Sequence, residues 1–159
     1  MGFSKNVVVL TQEEKDYADN YELDSAGVNT DDTISSITPS KVSVNMGSLI
    51  AVKVKYACDE EAEYTFFVDG QQVTATKIAD EDGKIYYNIA SPYIGPVDYG
   101  KTIMFTVKLG DTEENYLYSP MQYAINAAKA YSDYENYVSM FNSIIKYHYS
   151  AMKYNEKNN

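Results

Sequence analysis

Tryptophan is absent from this chain, cysteine and histidine occur once each, and only 8 glycines are present. No apolar run is long enough to span a bilayer, so membrane insertion is not expected. The single Cys58 excludes an intramolecular disulfide, an absence that by itself assigns no redox compartment. Any Ser-His-Asp or Cys-His site would have to be built on His148, the one histidine. His148 falls in phase with Phe141, Ile144 and Ile145 on an apolar helical face, which predicts a packing role. Cys58 precedes Asp59, Glu60 and Glu61, whose charge disfavours a thiolate nucleophile. Its phase continues that of Ile50 to Tyr56 and predicts a buried thiol at a strand end. The glycines are scattered at turns, and no phosphate loop, zinc spacing or dinucleotide fingerprint is present. These gaps together predict a non-catalytic protein.

What is present is a chain of 159 residues, enough for one domain with an appendage, with a hydrophobic fraction of 45%. That length can bury a core without disulfides or metals. The chain carries 23 acidic and 13 basic residues, for a net charge of −10. Such a surface repels phosphate backbones, so no nucleic-acid partner is expected, and anionic membranes are disfavoured for the same reason. Tyrosine is abundant at 17 copies. It suits strands and half-buried surfaces where one end stays wet. The start, Met1-Gly2-Phe3-Ser4, lacks a basic segment followed by an apolar one, and reads as a cut boundary from which any signal peptide has been removed.

Residues 1–36 read as an N-terminal extension. Val7 to Leu10 suggest a short strand. Thr11 and Glu14 have capping-box spacing and predict a short helix to about Tyr21, whose thin apolar face (Tyr17, Ala18, Tyr21) needs support from elsewhere. Residues 24–36, rich in Ser, Thr, Asp and Gly, read as a linker.

Residues 37–119 then alternate with period two. The segments around Val42–Val44, Ile50–Tyr56, Tyr64–Val68, Gln71–Ile78, Ile85–Ile89, Ile103–Leu109 and Tyr116–Tyr118 predict seven antiparallel strands. Asp69-Gly70 is a two-residue hairpin signal. The expected fold is mainly β with C-terminal α: a seven-stranded, immunoglobulin-like sandwich followed by two antiparallel helices packed on it. From residue 120 to 159 the period is helical. Ser119 is an N-cap with Pro120 at the first helical position. Met121, Ala124, Ile125, Ala128 and Tyr131 form one stripe. Ser132 and Glu135 suggest a second capping box, followed by a long apolar face from Tyr137 and Val138 to His148 and Met152. Phe67, Tyr86 and Met104 should point out of the sandwich, where the helical hairpin is expected to cover them within the same domain.

The tail carries a resemblance. Tyr118-Ser119-Pro120-Met121-Gln122-Tyr123-Ala124 directly follows the last strand, and Ile144-Ile145-Lys146-Tyr147 lies in the segment from Met140 to Asn155. The combination resembles a C-terminal module of secreted, multidomain proteins of gut and rumen Firmicutes. There a Tyr-Ser-x-x-x-Tyr-Ala helix start precedes a second helix with a Leu-Leu-x-Tyr-Gly-Ala-Ala-Ala-Gln type segment. His148, Tyr149 and Met152 depart from the small-residue half of that segment. The resemblance implies an extracellular or cell-surface setting among polysaccharide-degrading or surface proteins. It carries over no catalytic residue.

Acidic clusters at Asp31-Asp32, Asp59-Glu60-Glu61, Asp80-Glu81-Asp82 and Asp111-Glu113-Glu114 fall at expected turns, where solvated acids are ordinary. They offer no paired carboxylates across a cleft for glycoside hydrolysis. If a structural calcium binds, Asp80 and Asp82 are the candidate ligands; otherwise no cofactor is expected. The expected role is that of a structural or protein-interaction module, whose partners are neighbouring domains or another protein. The alternative is a carbohydrate-binding module that stacks Tyr86, Tyr93 and Tyr99 on polysaccharide.

Overall fold

Alternation from Val52 to Cys58 buries Val52, Val54, Tyr56 and Cys58, while Lys53 stays in water. In the computed structural model, which describes residues 7–25, 28, 34–45, 49–79 and 83–157, that segment belongs to one of eight strands. They are β1 (Ile37–Asn45), β2 (Ala51–Cys58), β3 (Thr65–Val68), β4 (Gln71–Val73), β5 (Thr76–Ala79), β6 (Ile85–Ala90), β7 (Ile103–Leu109) and β8 (Thr112–Tyr118). Two four-stranded antiparallel sheets result, ordered β1-β2-β6-β5 and β4-β3-β7-β8.

The strand count corrects the expected seven. The segment 71–78, which reads as one strand, is two: β4 pairs with β3 in one sheet and β5 with β6 in the other. The chain changes sheets across Thr74 and Ala75. The apolar phase slips there, since Val73 and Ala75 are followed in phase by Lys77 while Ile78 falls on the opposite face. The hairpin at Asp69-Gly70 forms as expected. Both central residues have positive φ (48° and 82°), the signature of a type I′ turn. Gly110 is left-handed at φ 60° and closes β7 directly onto β8, which is longer than the three residues expected of it.

The sheets face one another across an aromatic and aliphatic core. The Phe66 ring of one sheet lies 5.6 Å from Tyr56 and 5.4 Å from Tyr87 of the other. Val54, Phe105 and Val107 are fully enclosed. Cys58 is buried at the end of β2, where its one S–H donates to the carbonyl of Glu60 and the hydroxyl of Tyr64 also lies within hydrogen-bond reach of the sulfur. On the outward side Phe67 and Tyr86 are half-buried, with Lys108 and Lys55 ammonium groups 4.7 and 4.4 Å from their ring centroids. The lysine stems shield ring faces while their charges stay in water.

One core group lacks a partner: among the described residues, the Tyr56 hydroxyl is buried without a hydrogen bond. Burial is the main reason its pKa lies well above the ordinary tyrosine value. A buried polar group with no partner costs stability. Tyr56→Phe is therefore expected to leave the protein at least as stable, by up to about 1 kcal/mol in urea unfolding. A clear loss would show that the hydroxyl is satisfied in solution.

A second compact unit comprises the described residues up to Leu23, Ile94–Lys101 and the chain from Ser119 onward. It holds α1 (Gln12–Asp19), a 3-10 turn at Pro96–Asp98, α2 (Pro120–Ala130) and α3 (Glu135–Lys157). The Thr11–Glu14 capping box forms, as does the Ser119 N-cap with Pro120 behind it. Val7 to Leu10 do not form the expected strand. The Val8 N–H instead donates to Ser139 Oγ at 2.8 Å, and its carbonyl accepts from Asn142 Nδ2 at 3.1 Å. Side chains of α3 thus take the place of a ladder. α3 starts at Glu135, so Ser132 lies in the turn before it. Glu14 ties α1 to α3: its Oε1 accepts from the Thr11 N–H at 2.7 Å and from Lys146 Nζ at 2.5 Å. Burial raises this carboxyl, but the bonds from Lys146 and Thr11 outweigh it and hold the pKa below the usual glutamate value.

Candidate functional site

On α3, Phe141, Ile144, Ile145 and His148 recur at helical spacing and are buried together. His148 is only 2% exposed, and both ring nitrogens are engaged. Nδ1 lies 2.7 Å from the Pro96 carbonyl oxygen, which can only accept, so Nδ1 carries the proton of the neutral ring. Nε2 then accepts from the Tyr17 hydroxyl at 2.8 Å. Desolvation holds the imidazole below its ordinary pKa, against smaller opposing effects of the Pro96 carbonyl and Asp98. An enclosed, neutral imidazole of this kind joins α1, the 96–98 turn and α3. It presents no nitrogen to a ligand.

A second polar link runs beside it. Tyr21 donates to the Gly100 carbonyl at 2.9 Å, so the hydrogen shared with Ser119 Oγ at 2.5 Å is the serine's own. Ser119 Oγ also accepts the Gln122 N–H as the cap of α2. These bonds supply the support that α1 needs. Gly100 is closely approached by its neighbours: a Cβ there would stand 3.0 Å from His148 Nε2 and 3.2 Å from the Tyr17 hydroxyl, so a side chain would have to displace them by a few tenths of an ångström.

An exposed aromatic cluster of this unit lies at the turn from α2 to α3. Tyr131, Tyr134 and Tyr137 are 45%, 59% and 50% exposed. Their ring centroids stand 5.3 Å (Tyr131–Tyr137), 6.0 Å (Tyr134–Tyr137) and 6.3 Å (Tyr131–Tyr134) apart. Tyr131 also stacks on Phe141, whose buried ring meets Tyr123 edge-on, so the patch is anchored in the helical core. Exposed Met140 extends it. Backbone bonds from the Tyr134 and Tyr137 N–H groups to the carbonyls of Tyr131 and Tyr134 fix the turn. Contiguous aromatic exposure of this kind makes the turn a candidate interaction surface.

Sequence reasoning missed this patch by assigning Tyr131 and Tyr137 to buried stripes. Helical phase does place them near those stripes, but the stripes run out at the turn, where among the described residues Tyr131 and Tyr137 stay 45% and 50% exposed. The available signal was a tyrosine at every third position across a turn that also carries Asp133 and Glu135.

The sequence-derived candidates fall in both units. Tyr86 is half-buried beneath Lys55 in the β unit. Tyr93, also in the β unit, is 65% exposed. Tyr99 belongs to the helical unit and is 1% exposed, its ring stacked on His148 and edge-on to Tyr147. It therefore offers no free face. Asp80 and Asp82 lie outside the described residues. Among the described residues no cluster of three or more His, Cys, Asp or Glu side chains could hold a metal, and no helix is long and apolar enough to cross a membrane.

No protein-family model matches the chain, and no curated protein matches it significantly.

Proposed function

We propose that this chain is a non-catalytic interaction module of a secreted or cell-surface protein, docking a protein partner through Tyr131, Tyr134 and Tyr137. The observation that carries this reading is the anchored, exposed tyrosine cluster at the α2–α3 turn. Tyrosine gives large contact area at low entropic cost and dominates many protein interfaces. The rings meet at 65°, 40° and 75°, so they form a ridge rather than a shared plane. A ridge fits a grooved protein surface better than the flat face of a sugar chain. The enclosed His148 and Cys58 support the non-catalytic reading. The tail pattern supports the extracellular one. The strand orders β1-β2-β6-β5 and β4-β3-β7-β8 support an immunoglobulin-like reading of the β unit, equivalent to ABED facing GFC with one added strand.

The second reading, polysaccharide binding, rests on exposed Tyr93. A displayed-peptide selection and a glycan array, run in parallel on the native chain and a Tyr131→Ser/Tyr134→Ser/Tyr137→Ser variant, separate the two. The expected result is a set of peptides whose affinity falls at least tenfold in the variant, as for interface hot spots, with no glycan retained. Glycan retention that Tyr93→Ala abolishes, or peptide binding indifferent to the triple change, would overturn the protein-docking reading.

A further inference from the structure

A groove of about 530 Å³ opens on the helical unit among α1, α2, α3 and the segment before α1. Its floor is apolar and buried: Ala18, Ile125 and Ile145. The walls add Val9, Leu10 and Val138. The volume falls within the roughly 300–1,000 Å³ of small-molecule sites, which are lined mainly by apolar side chains with a few polar groups.

The charge of the rim is the informative feature. The chain as a whole has 23 acids against 13 bases, yet the groove is lined by Lys15 and Lys129 against one acid, Asp19. Neither lysine has an ion-pair partner among the described residues, so both charges stay available at the rim. An apolar slot edged by unpaired cations, on an otherwise anionic molecule, is complementary to an apolar chain with a negative head. From this geometry we infer that the groove binds a single free fatty carboxylate, its hydrocarbon over Ala18, Ile125 and Ile145 and its carboxylate between Lys15 and Lys129. Net negative charge makes an anionic bilayer the wrong source for this ligand, since the surrounding surface is repelled. This site is separate from the tyrosine ridge and stands or falls independently of it.

Isothermal titration of the full chain with dodecanoate below its micelle concentration tests the assignment, with dodecanol as the uncharged control. Saturable binding at one site is expected, with dodecanol weaker. Lys15→Gln and Lys129→Gln should each weaken dodecanoate by about fivefold, as for a partly exposed ion pair, and leave dodecanol unchanged. Ala128→Trp, which fills the groove from the half-buried wall of α2, should abolish both, with unchanged helix circular dichroism confirming its fold. The lysine variants cover the case in which the tryptophan variant does not fold. Absent saturable binding, equal affinity for the two amphiphiles, or dodecanoate binding indifferent to both lysine changes overturns the assignment.

Discussion

His148→Ala is expected to destabilise the protein by about 3 kcal/mol, the usual cost of emptying a large buried site. Three losses combine. The ring leaves a cavity beside Tyr99 and Tyr17, whose centroids lie 6.2 and 5.6 Å away. The Pro96 carbonyl loses its donor, and the Tyr17 hydroxyl loses its acceptor. Helix circular dichroism during urea unfolding reads the change directly. A variant as stable as the native protein would show that these bonds are not made in solution.

The same residue sets a pH dependence with a definite sign. The folded imidazole sits below its ordinary pKa, and desolvation is the main cause. As pH falls below about 6.5, the unfolded chain takes up a proton before the folded one does. The stability that His148 contributes is therefore complete above that pH and is lost as pH falls through the folded value. The native protein should lose its advantage over His148→Ala progressively on acidification. A melting-temperature gap that widens toward acid pH would contradict this account. Glu14, held below the usual glutamate range by Lys146 and Thr11, adds a separate loss only at lower pH, below about 4.5.

Phe66→Ala should cost still more, about 4 kcal/mol. Its ring is buried where the two sheets meet, in contact with Tyr56, Tyr87 and Tyr64 at 5.6, 5.4 and 6.5 Å. Aromatic pairs of this kind add to the area they bury. Phe66→Leu should recover most of the loss, because it refills the volume without the ring contacts. Near-ultraviolet circular dichroism during urea unfolding follows the tyrosines involved. If the alanine variant lost less than about 1 kcal/mol, the two sheets would not share this core.

Much of the β unit was legible because a strand's side-chain period is short and local. The rows Val52, Val54, Tyr56 and Ile103, Phe105, Val107 came from alternation alone and are buried as expected. Turn chemistry was equally local: Asp69-Gly70 announces a turn that needs positive φ twice. Helix starts at Thr11 and Ser119 were readable because a cap involves residues only two or three apart. The phase slip between Val73 and Ile78 marks a break, but the change of sheet itself was not readable, since pairing partners lie elsewhere in the chain. Val7 to Leu10 had strand composition, but composition does not supply a neighbouring strand.

Tyrosine shows the division most clearly. The sequence by itself determined that the chain has many tyrosines, one histidine on an apolar helical face and no motif around it. Only the tertiary structure decided that Tyr99 is enclosed, that Tyr56 is buried without a partner, and that Tyr131, Tyr134 and Tyr137 stand together in water. The physical reason is that tyrosine has an apolar ring and a polar end, so periodicity assigns it to a face without deciding its burial. That decision belongs to what the rest of the chain places above it. Each unit's own core covers Tyr99 or Tyr56, whereas among the described residues of the helical unit the tyrosines of the turn after α2 stay exposed.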